Sequence, residues 1–226
     1  MSSFYSESSR RLQERFQTVA LADRLEAAII TDRLSDADQQ FVAGRDFFFL
    51  STVGGDGFPT VSYKGGDVGL VTVVDPGTLA FPSYDGNGMY LSMGNLAETP
   101  RIGMLFIDFV KPTRLRVQGE ATIDEVDQSN EMLDRYPGAE LIVRVHITAA
   151  FTNCPRYVHR HDRVETSRYV PDDEGRAPLA PWKRIDVMQD VLPGDVRSRV
   201  EAEGGQISLE QYEAILDSEA TGSDPG

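Results

Sequence analysis

The pattern of apolar and polar residues predicts three parts in this chain: a helical segment (residues 1–45), a β-domain (46–163) and a linker with a C-terminal helical tail (164–226). In the first part, apolar residues recur every three or four positions, as on one face of a helix. In the second, short apolar or alternating runs are separated by glycine turns, which is typical of antiparallel strands. In the third, prolines indicate an extended linker. Ser208-Leu209-Glu210-Gln211 has the spacing of a capping box, which predicts a short C-terminal helix.

The helical segment is predicted to contain a first helix with an apolar stripe and a second, shorter one. The stripe begins with Leu12 and Phe16 and continues through the residues Val19, Ala20, Leu21, Leu25, Ala28 and Ile29. Ser35 is placed to cap the second helix at its N-terminus, and Gly44 suits the C′ position. We interpret the segment as a helical pair packed on the β-domain. The alternative is an arm that embraces a second copy of the chain.

The β-domain begins with a predicted hairpin, Phe47 to Val53 followed by the turn Gly54 to Gly57. The return strand, Thr60 to Lys64, alternates, so that Thr60, Ser62 and Lys64 share one face. Further strands are predicted at Gly69–Val74, Thr78–Phe81, Ile102–Phe109, Thr113–Ile123 and Glu140–Phe151, with a short helix at Asp127–Arg135. Many short antiparallel strands favour a small barrel over a doubly wound sheet.

One segment of the β-domain, Ser83 to Leu96, passes from a Gly/Asn turn into a helix that we expect to open near Asn87 and to end before Pro100. The first N–H groups of a helix have no intrahelical partners, and they lie at the positive end of the helix dipole. A helix that begins beside a sheet is therefore suited to binding a phosphate group.

The composition of the chain argues against several classes of binding partner, cellular location and metal site. A net charge of −14 argues against nucleic acid, which requires clustered Lys and Arg. No apolar run approaches the roughly 20 residues that span a bilayer, and no basic region followed by an apolar one marks a secretory signal. One cysteine cannot form an internal disulfide, so we expect a cytoplasmic protein. The three histidines do not form a metal-ligand pattern, and we expect no metal site.

The β-domain resembles the pyridoxamine 5′-phosphate oxidase-like, FMN-binding split-barrel proteins, and more narrowly the branch described as predicted flavin-nucleotide-binding proteins. The matching strings are spread in the expected order over residues 48–157, which is about half of the chain. They are Phe48-Phe49-Leu50-Ser51-Thr52-Val53, Pro59-Thr60-Val61-Ser62-Tyr63-Lys64-Gly65-Gly66, Thr78-Leu79-Ala80-Phe81-Pro82, Asp85-Gly86-Asn87-Gly88-Met89, Gly94-Asn95-Leu96, Gly103-Met104-Leu105-Phe106-Ile107-Asp108-Phe109, Arg114-Leu115-Arg116-Val117 and Asn153-Cys154-Pro155-Arg156-Tyr157.

This resemblance implies a mainly β split barrel with flanking helices, and a homodimer with FMN in clefts between the subunits. The implied FMN-binding residues are Ser62, Tyr63, Lys64, Asn87, Tyr90, Ser92, Arg114, Arg116 and Arg156. The family strand that carries Lys64 runs along the isoalloxazine, and the helix start near Asn87 and Ser92 corresponds to the phosphate site. Better-known oxidases hold the phosphate with an Arg-Lys pair where this chain has Leu91 and Ser92, so amides, hydroxyls and a strand-borne arginine must act instead.

The function implied is that of a flavoprotein oxidoreductase with an unidentified substrate. No protein acid or base is assigned, because the flavin itself carries out the redox chemistry. Two alternatives stay open: a non-catalytic flavin-binding or flavin-sensing protein, and a split barrel that binds deazaflavin or haem.

Overall fold

A computed structural model describes residues 4–125, 132 and 134–221 of the chain. They belong to two compact units, Met1–Thr166 and Ser167–Gly226. The helices and strands of the first unit are α1 (Glu7–Arg15), α2 (Val19–Ile29), α3 (Asp36–Ala43), β1 (Phe47–Val53), β2 (Pro59–Gly65), β3 (Thr72–Asp75), β4 (Thr78–Tyr84), α4 (Leu91–Glu98), β5 (Arg101–Asp108), β6 (Thr113–Glu125) and β7 (Ala139–Asn153).

The strands form one antiparallel sheet in the order β2-β1-β5-β6-β7-β4-β3. β6 and β7 are the longest strands, with 13 and 15 residues, and they join the two ends of the sheet. The predicted fold, mainly β with flanking helices and arranged as a split barrel, is confirmed. Every strand predicted in the β-domain is present, with shifted ends.

The core lies on the inner face of the sheet. Phe48, Phe81 and Phe106 are fully buried, and the ring of Phe48 lies 5.0 Å from that of Phe81 and 5.5 Å from that of Phe106. Leu115 and Val117 of β6 also point inward, as the alternation predicts. Burying one such side chain contributes about 1.5–3 kcal/mol, so this cluster is the main apolar stabilisation of the sheet.

The N-terminal segment forms three helices rather than a pair. Gln17 adopts a left-handed conformation with φ 57°, which separates α1 from α2. The predicted cap of α3 is confirmed: Ser35 and Asp38 form a reciprocal capping box. The apolar stripe is largely exposed, since α1 has no buried residue and α2 has only Ala22.

Helix α4 begins at Leu91, later than the start predicted near Asn87. The reason lies in the preceding turn, where Asn87 Oδ1 accepts a hydrogen bond from the backbone N–H of Met89 at 3.1 Å. Gly88 has φ 75° and Tyr90 has φ 47°, both in the left-handed region, so the right-handed helix starts only after Tyr90.

The second unit contains more helix than expected, because its prolines predicted an extended linker. It has 3₁₀ helices at Pro181–Arg184 and Asp186–Met188, α5 (Gly194–Ala202) and α6 (Leu209–Thr221). Two prolines begin helices here, because a proline needs no N–H partner at a first turn. Leu179, Leu192 and Val200 form a small core. The predicted capping box is confirmed, with Gln211 N–H donating to Ser208 Oγ at 3.2 Å and Gln211 Oε1 accepting from Ser208 N–H at 2.9 Å. The helix predicted at Asp127–Arg135 falls largely outside the described residues.

Candidate functional site

A cleft of about 240 Å³ lies between β2 and the segment that leads into α4. Its floor is the polar face of β2 and its wall is the turn and first helical residues. The lining residues are Thr60, Val61, Ser62, Lys64, Ser83, Tyr84, Gly86, Asn87, Gly88, Met89, Tyr90, Leu91, Ser92 and Met93. The cleft therefore combines one cation, several hydroxyls and the N-terminus of a helix.

Lys64 is the cation of the cleft, and it is half-buried on β2. Burial lowers the pKa of its ammonium group below the ordinary value of 10.5. No carboxylate in the described part of the chain offsets this effect, since desolvation is the sole cause of the shift. A half-buried cation without an acidic partner is stabilised by an anion bound beside it.

The N-terminus of α4 supplies further donors to the cleft. The N-cap residue Tyr90 makes no side-chain capping bond, so the first N–H groups of the helix receive no side-chain acceptor there. The hydroxyls of Ser62 on β2 and Ser92 on α4 lie 3.3 Å apart, which brings strand and helix together at the cleft. These groups can donate several hydrogen bonds to one oxyanion.

A buried polar cluster behind the cleft holds α4 against the sheet. The side-chain amide of Asn95 donates to Thr52 Oγ1 at 3.0 Å and to Thr60 Oγ1 at 3.2 Å, and the two threonine hydroxyls are 2.9 Å apart. This structural role of Asn95 was not predicted from the sequence. The sequence did contain a signal for its burial. Asn95 lies between Met93 and Leu96, which both face the core, so the helical spacing places Asn95 near the buried side of the helix.

The cleft also contains two tyrosines whose pKa values are raised. The phenol of Tyr90 donates to Glu140 Oε2 at 2.9 Å, and this hydrogen bond is the main cause of its raised pKa. Burial raises the pKa of Tyr84 to about 12, with smaller contributions from Tyr136 and Asp67. Both phenols therefore stay protonated at neutral pH and can act as hydrogen-bond donors.

Five of the predicted FMN-binding residues meet in this cleft: Ser62, Lys64, Asn87, Tyr90 and Ser92. The other four are placed elsewhere in the chain. Tyr63 points from the opposite face of β2 and stacks on Phe47 with a centroid distance of 5.5 Å.

The three predicted arginines lie outside the cleft. Arg114 Nη2 donates to the carbonyl of Cys154 at 3.0 Å, and Arg116 lines a groove on the outer face of the sheet. Arg156 is exposed after the end of β7. The physical reason is strand alternation: inward positions of β6 hold Leu115 and Val117, so its arginines point outward, away from this chain's own cleft.

The outer groove has a volume of about 240 Å³ and adjoins the cleft at one residue. Val61 lines both, and its side chain is 71% exposed. Phe49, Leu105 and Arg116 are among the other residues of the groove. A continuous surface thus leads from the polar cleft past Val61 to a mainly apolar outer face.

Comparison with known families identifies the family to which the chain belongs. The family model described as pyridoxamine 5′-phosphate oxidase matches residues 34–154, which is more than half of the 226 residues. The chain belongs to this family. The match includes every residue that lines the cleft and the outer groove.

Solved structures with similar folds include three with differently described roles. A putative pyridoxamine 5′-phosphate oxidase from Lactobacillus delbrueckii is 24% identical, with 54% of this chain and 95% of that chain covered and a TM-score of 0.44. An F420 reductase is 22% identical, with coverage of 52% and 98% and a TM-score of 0.39. HutZ, a haem storage protein from Vibrio cholerae, is 19% identical, with coverage of 53% and 94% and a TM-score of 0.39. No curated protein sequence matches the chain.

Two properties of the described residues bear on metal binding and on membrane insertion. Within residues 4–125, 132 and 134–221, no group of three or more His, Cys, Asp or Glu side chains could hold a metal ion. In the same part of the chain, no helix has the length and hydropathy needed to cross a bilayer.

Proposed function

We propose that this protein is an FMN-binding flavoprotein that acts as an oxidoreductase, with the FMN phosphate bound in the cleft. The observation that carries the proposal is the half-buried Lys64, which has no acidic partner in the described chain and lines the same cleft as the N-terminus of α4. A phosphate dianion would offset the desolvation of Lys64 and accept hydrogen bonds from the helix.

The residues present fit a phosphate group. The resemblance implies that the strand carrying Lys64 runs along the isoalloxazine, but Lys64 lines the same cleft as the start of α4, so we assign its charge to the phosphate. Ser62 and Ser92 would supply the hydroxyls, and the start of α4 the backbone N–H groups. The family's Arg-Lys pair is replaced by Leu91 and Ser92, so hydroxyl and amide donors take the larger share of the binding. Such donors are fixed in direction, whereas a lysine acts as a point charge.

The dimensions of the cleft support a homodimer. Ligand pockets usually have volumes of about 300 Å³ or more, and the cleft of about 240 Å³ is smaller than that. We infer that the phosphate end lies in the cleft and that the flavin ring extends past Val61 toward the outer face. A second copy would then cover the ring and the exposed apolar side chains of β2, Val61 and Tyr63.

FMN supplies the redox chemistry when it is bound, by accepting and passing on electrons from an unidentified donor. The residues of this chain bind and orient it. Lys64 and Ser92 would hold the phosphate, and Val61 would contact the ring from one side. Covering the cleft with a second copy would keep water away from the reacting face.

The first experiment titrates the purified protein with FMN and with riboflavin, which lacks the phosphate. Lys64→Gln should weaken FMN binding by about ten- to a hundredfold, the value of one charge-assisted hydrogen bond. Riboflavin binding should be unaffected. Lys111→Gln is the matched control, because it removes the same charge from an exposed turn. No binding of FMN by the wild-type protein would refute the proposal.

The second experiment separates the alternatives. The absorption spectrum of the purified protein distinguishes a flavin from deazaflavin or haem. None of the residues that line the cleft in the described structure is a histidine or cysteine, which are common axial ligands of haem iron. Reduction of the bound flavin by a nicotinamide donor, followed by turnover with an electron acceptor, would favour an oxidoreductase. Bound FMN that no donor reduces would favour a flavin-sensing role.

A further inference from the structure

Glu140 occupies an irregular position at the start of β7, next to the cleft. Ser83 of β4 pairs with Leu141, whereas the next residue, Tyr84, pairs with Ala139. Glu140 is therefore an extra residue of β7 without a partner on β4, which is a β-bulge. Bulges change the direction of a side chain and are frequent beside functional sites.

The bulge brings the Glu140 carboxylate to a residue of the cleft. Tyr90 donates its phenol proton to Glu140 Oε2 at 2.9 Å, and Tyr90 is the hydrogen-bond partner found for Glu140 in the described part of the chain. Tyr90 also caps α4 in a left-handed conformation, which is uncommon for a residue other than glycine. An exposed acid thus holds a cleft-lining donor in a fixed position.

We infer that Glu140 is a positioning residue that lowers the phosphate affinity of the cleft by competing for the hydroxyl of Tyr90. This inference rests on the proposed binding of the FMN phosphate. A phenol has one proton to donate, so Tyr90 can bond either Glu140 or a phosphate oxygen, but not both at full strength. Tyr90 lines the same cleft as Lys64 and Ser92, so we infer that it also donates to the bound phosphate. That donation would break the bond to Glu140, and the cost of breaking it would be subtracted from the affinity.

The competition has a second consequence, which concerns how tightly the ligand is held. When a phosphate oxygen accepts the hydrogen bond from Tyr90, the carboxylate of Glu140 loses its donor. The phosphate and the carboxylate, both negatively charged, then lie on either side of the same phenol. Such an arrangement favours exchange of the ligand over permanent retention. The cleft should therefore bind phosphate with intermediate affinity. This affinity depends on Tyr90 and Glu140, two residues that are 50 positions apart in sequence.

The test is a double-mutant cycle on the full chain, read as dissociation constants for FMN and riboflavin. Glu140→Ala should tighten FMN binding by about three- to tenfold, the range expected for a competing hydrogen bond at an exposed site. Riboflavin affinity should not change. Glu140→Gln keeps an acceptor but loses the charge, so its affinity should lie between those of wild type and Glu140→Ala. Glu213→Ala on α6 is the charge-matched control and should have no effect.

The second half of the cycle repeats the change in a Tyr90→Phe background. Without the hydroxyl there is no competition, and Glu140→Ala should then leave the FMN affinity unchanged. Equal tightening in both backgrounds would show a simple charge effect and overturn the inference. Unchanged or weaker FMN binding by Glu140→Ala alone would overturn it as well, while leaving the proposed function intact. If wild type and Glu140→Ala both fail to bind FMN, the proposed function is refuted and this inference with it.

Discussion

The side-chain amide of Asn95 on α4 donates a hydrogen bond to the hydroxyl of Thr60 on β2, over 3.2 Å. The same amide donates to Thr52 on β1, so one buried side chain links the helix to two strands. Thr60 lies two positions before Ser62 and four before Lys64 on the same face of β2. The cluster therefore fixes the distance between the helix start and the strand that together form the cleft.

Replacement of Asn95 by alanine should destabilise the protein by about 1–3 kcal/mol, because the buried hydroxyl of Thr52 and the half-buried hydroxyl of Thr60 lose a donor. Urea denaturation at constant pH measures this directly. Asn87→Ala is the control: it deletes the same atoms from an exposed turn, and we expect a change within about 0.5 kcal/mol. A loss within about 0.5 kcal/mol for Asn95→Ala would show that the cluster adds little to stability.

Gly119 of β6 is a position where a side chain cannot be accommodated. A Cβ atom there would lie 2.4 Å from the carbonyl oxygen of His146 and 2.7 Å from a methyl carbon of Val145, at an irregularity in the pairing of β6 with β7. We predict that Gly119→Ala lowers the free energy of unfolding by about 1–3 kcal/mol. Gly103→Ala on β5 is the control, since its Cβ would meet Ser51 at an ordinary 3.6 Å. Thermal unfolding of the two variants should differ clearly.

The sequence predicted the strands well because their signals are local. Phe48, Leu50 and Thr52 alternate with partly exposed residues in β1, and glycine turns mark the ends of the hairpins. The cleft residues Ser62 and Lys64 were found for the same reason, since a period of two places them on one face of β2. The N-cap at Ser35 and the capping box at Ser208 are likewise local and were predicted to the residue.

Features that depend on non-local contacts or on unusual backbone angles could not be predicted. The start of α4 was misplaced because left-handed Tyr90 has no sequence signature. The bond between Tyr90 and Glu140 arises from a bulge, which changes which residues are neighbours. The N-terminal stripe predicted a packed surface, yet Leu12 and Phe16 are exposed, since periodicity does not specify what covers an apolar face.

The lowered pKa of Lys64 predicts a pH dependence of stability. Between that lowered pKa and the ordinary value of 10.5, the unfolded chain binds more protons at this position than the folded one. The free energy of unfolding of the FMN-free protein should therefore rise with pH through this window, relative to Lys64→Gln. Saturating FMN should abolish or reverse the difference, because a phosphate favours the charged ammonium. Urea titrations of both proteins from neutral pH to about pH 10 test this linkage; a constant difference without FMN would contradict it.

The proposed dimer and the proposed FMN site share residues of the outer face of the sheet, so we expect dimerisation and FMN binding to be coupled. Val61 is 71% exposed, lines both the cleft and the outer groove, and is followed two residues later by Tyr63, which is 62% exposed. A charge at Val61 would be buried without a partner if a second copy covers this face. We predict that Val61→Glu shifts the sedimentation coefficient from that of a dimer to that of the 25.0 kDa monomer.

The control for this change is Val187→Glu, which introduces the same charge at an exposed valine of the second unit and should leave the dimer intact. If a second copy covers part of the flavin, as we propose, the monomeric variant should also bind FMN more weakly, by about tenfold or more. Val61 also lines the cleft, so the added carboxylate should weaken inorganic phosphate binding by direct repulsion. A loss of FMN affinity that exceeds the loss of phosphate affinity would report the missing second copy. A Val61→Glu monomer that binds FMN as tightly as the wild type would show that one subunit forms the complete site.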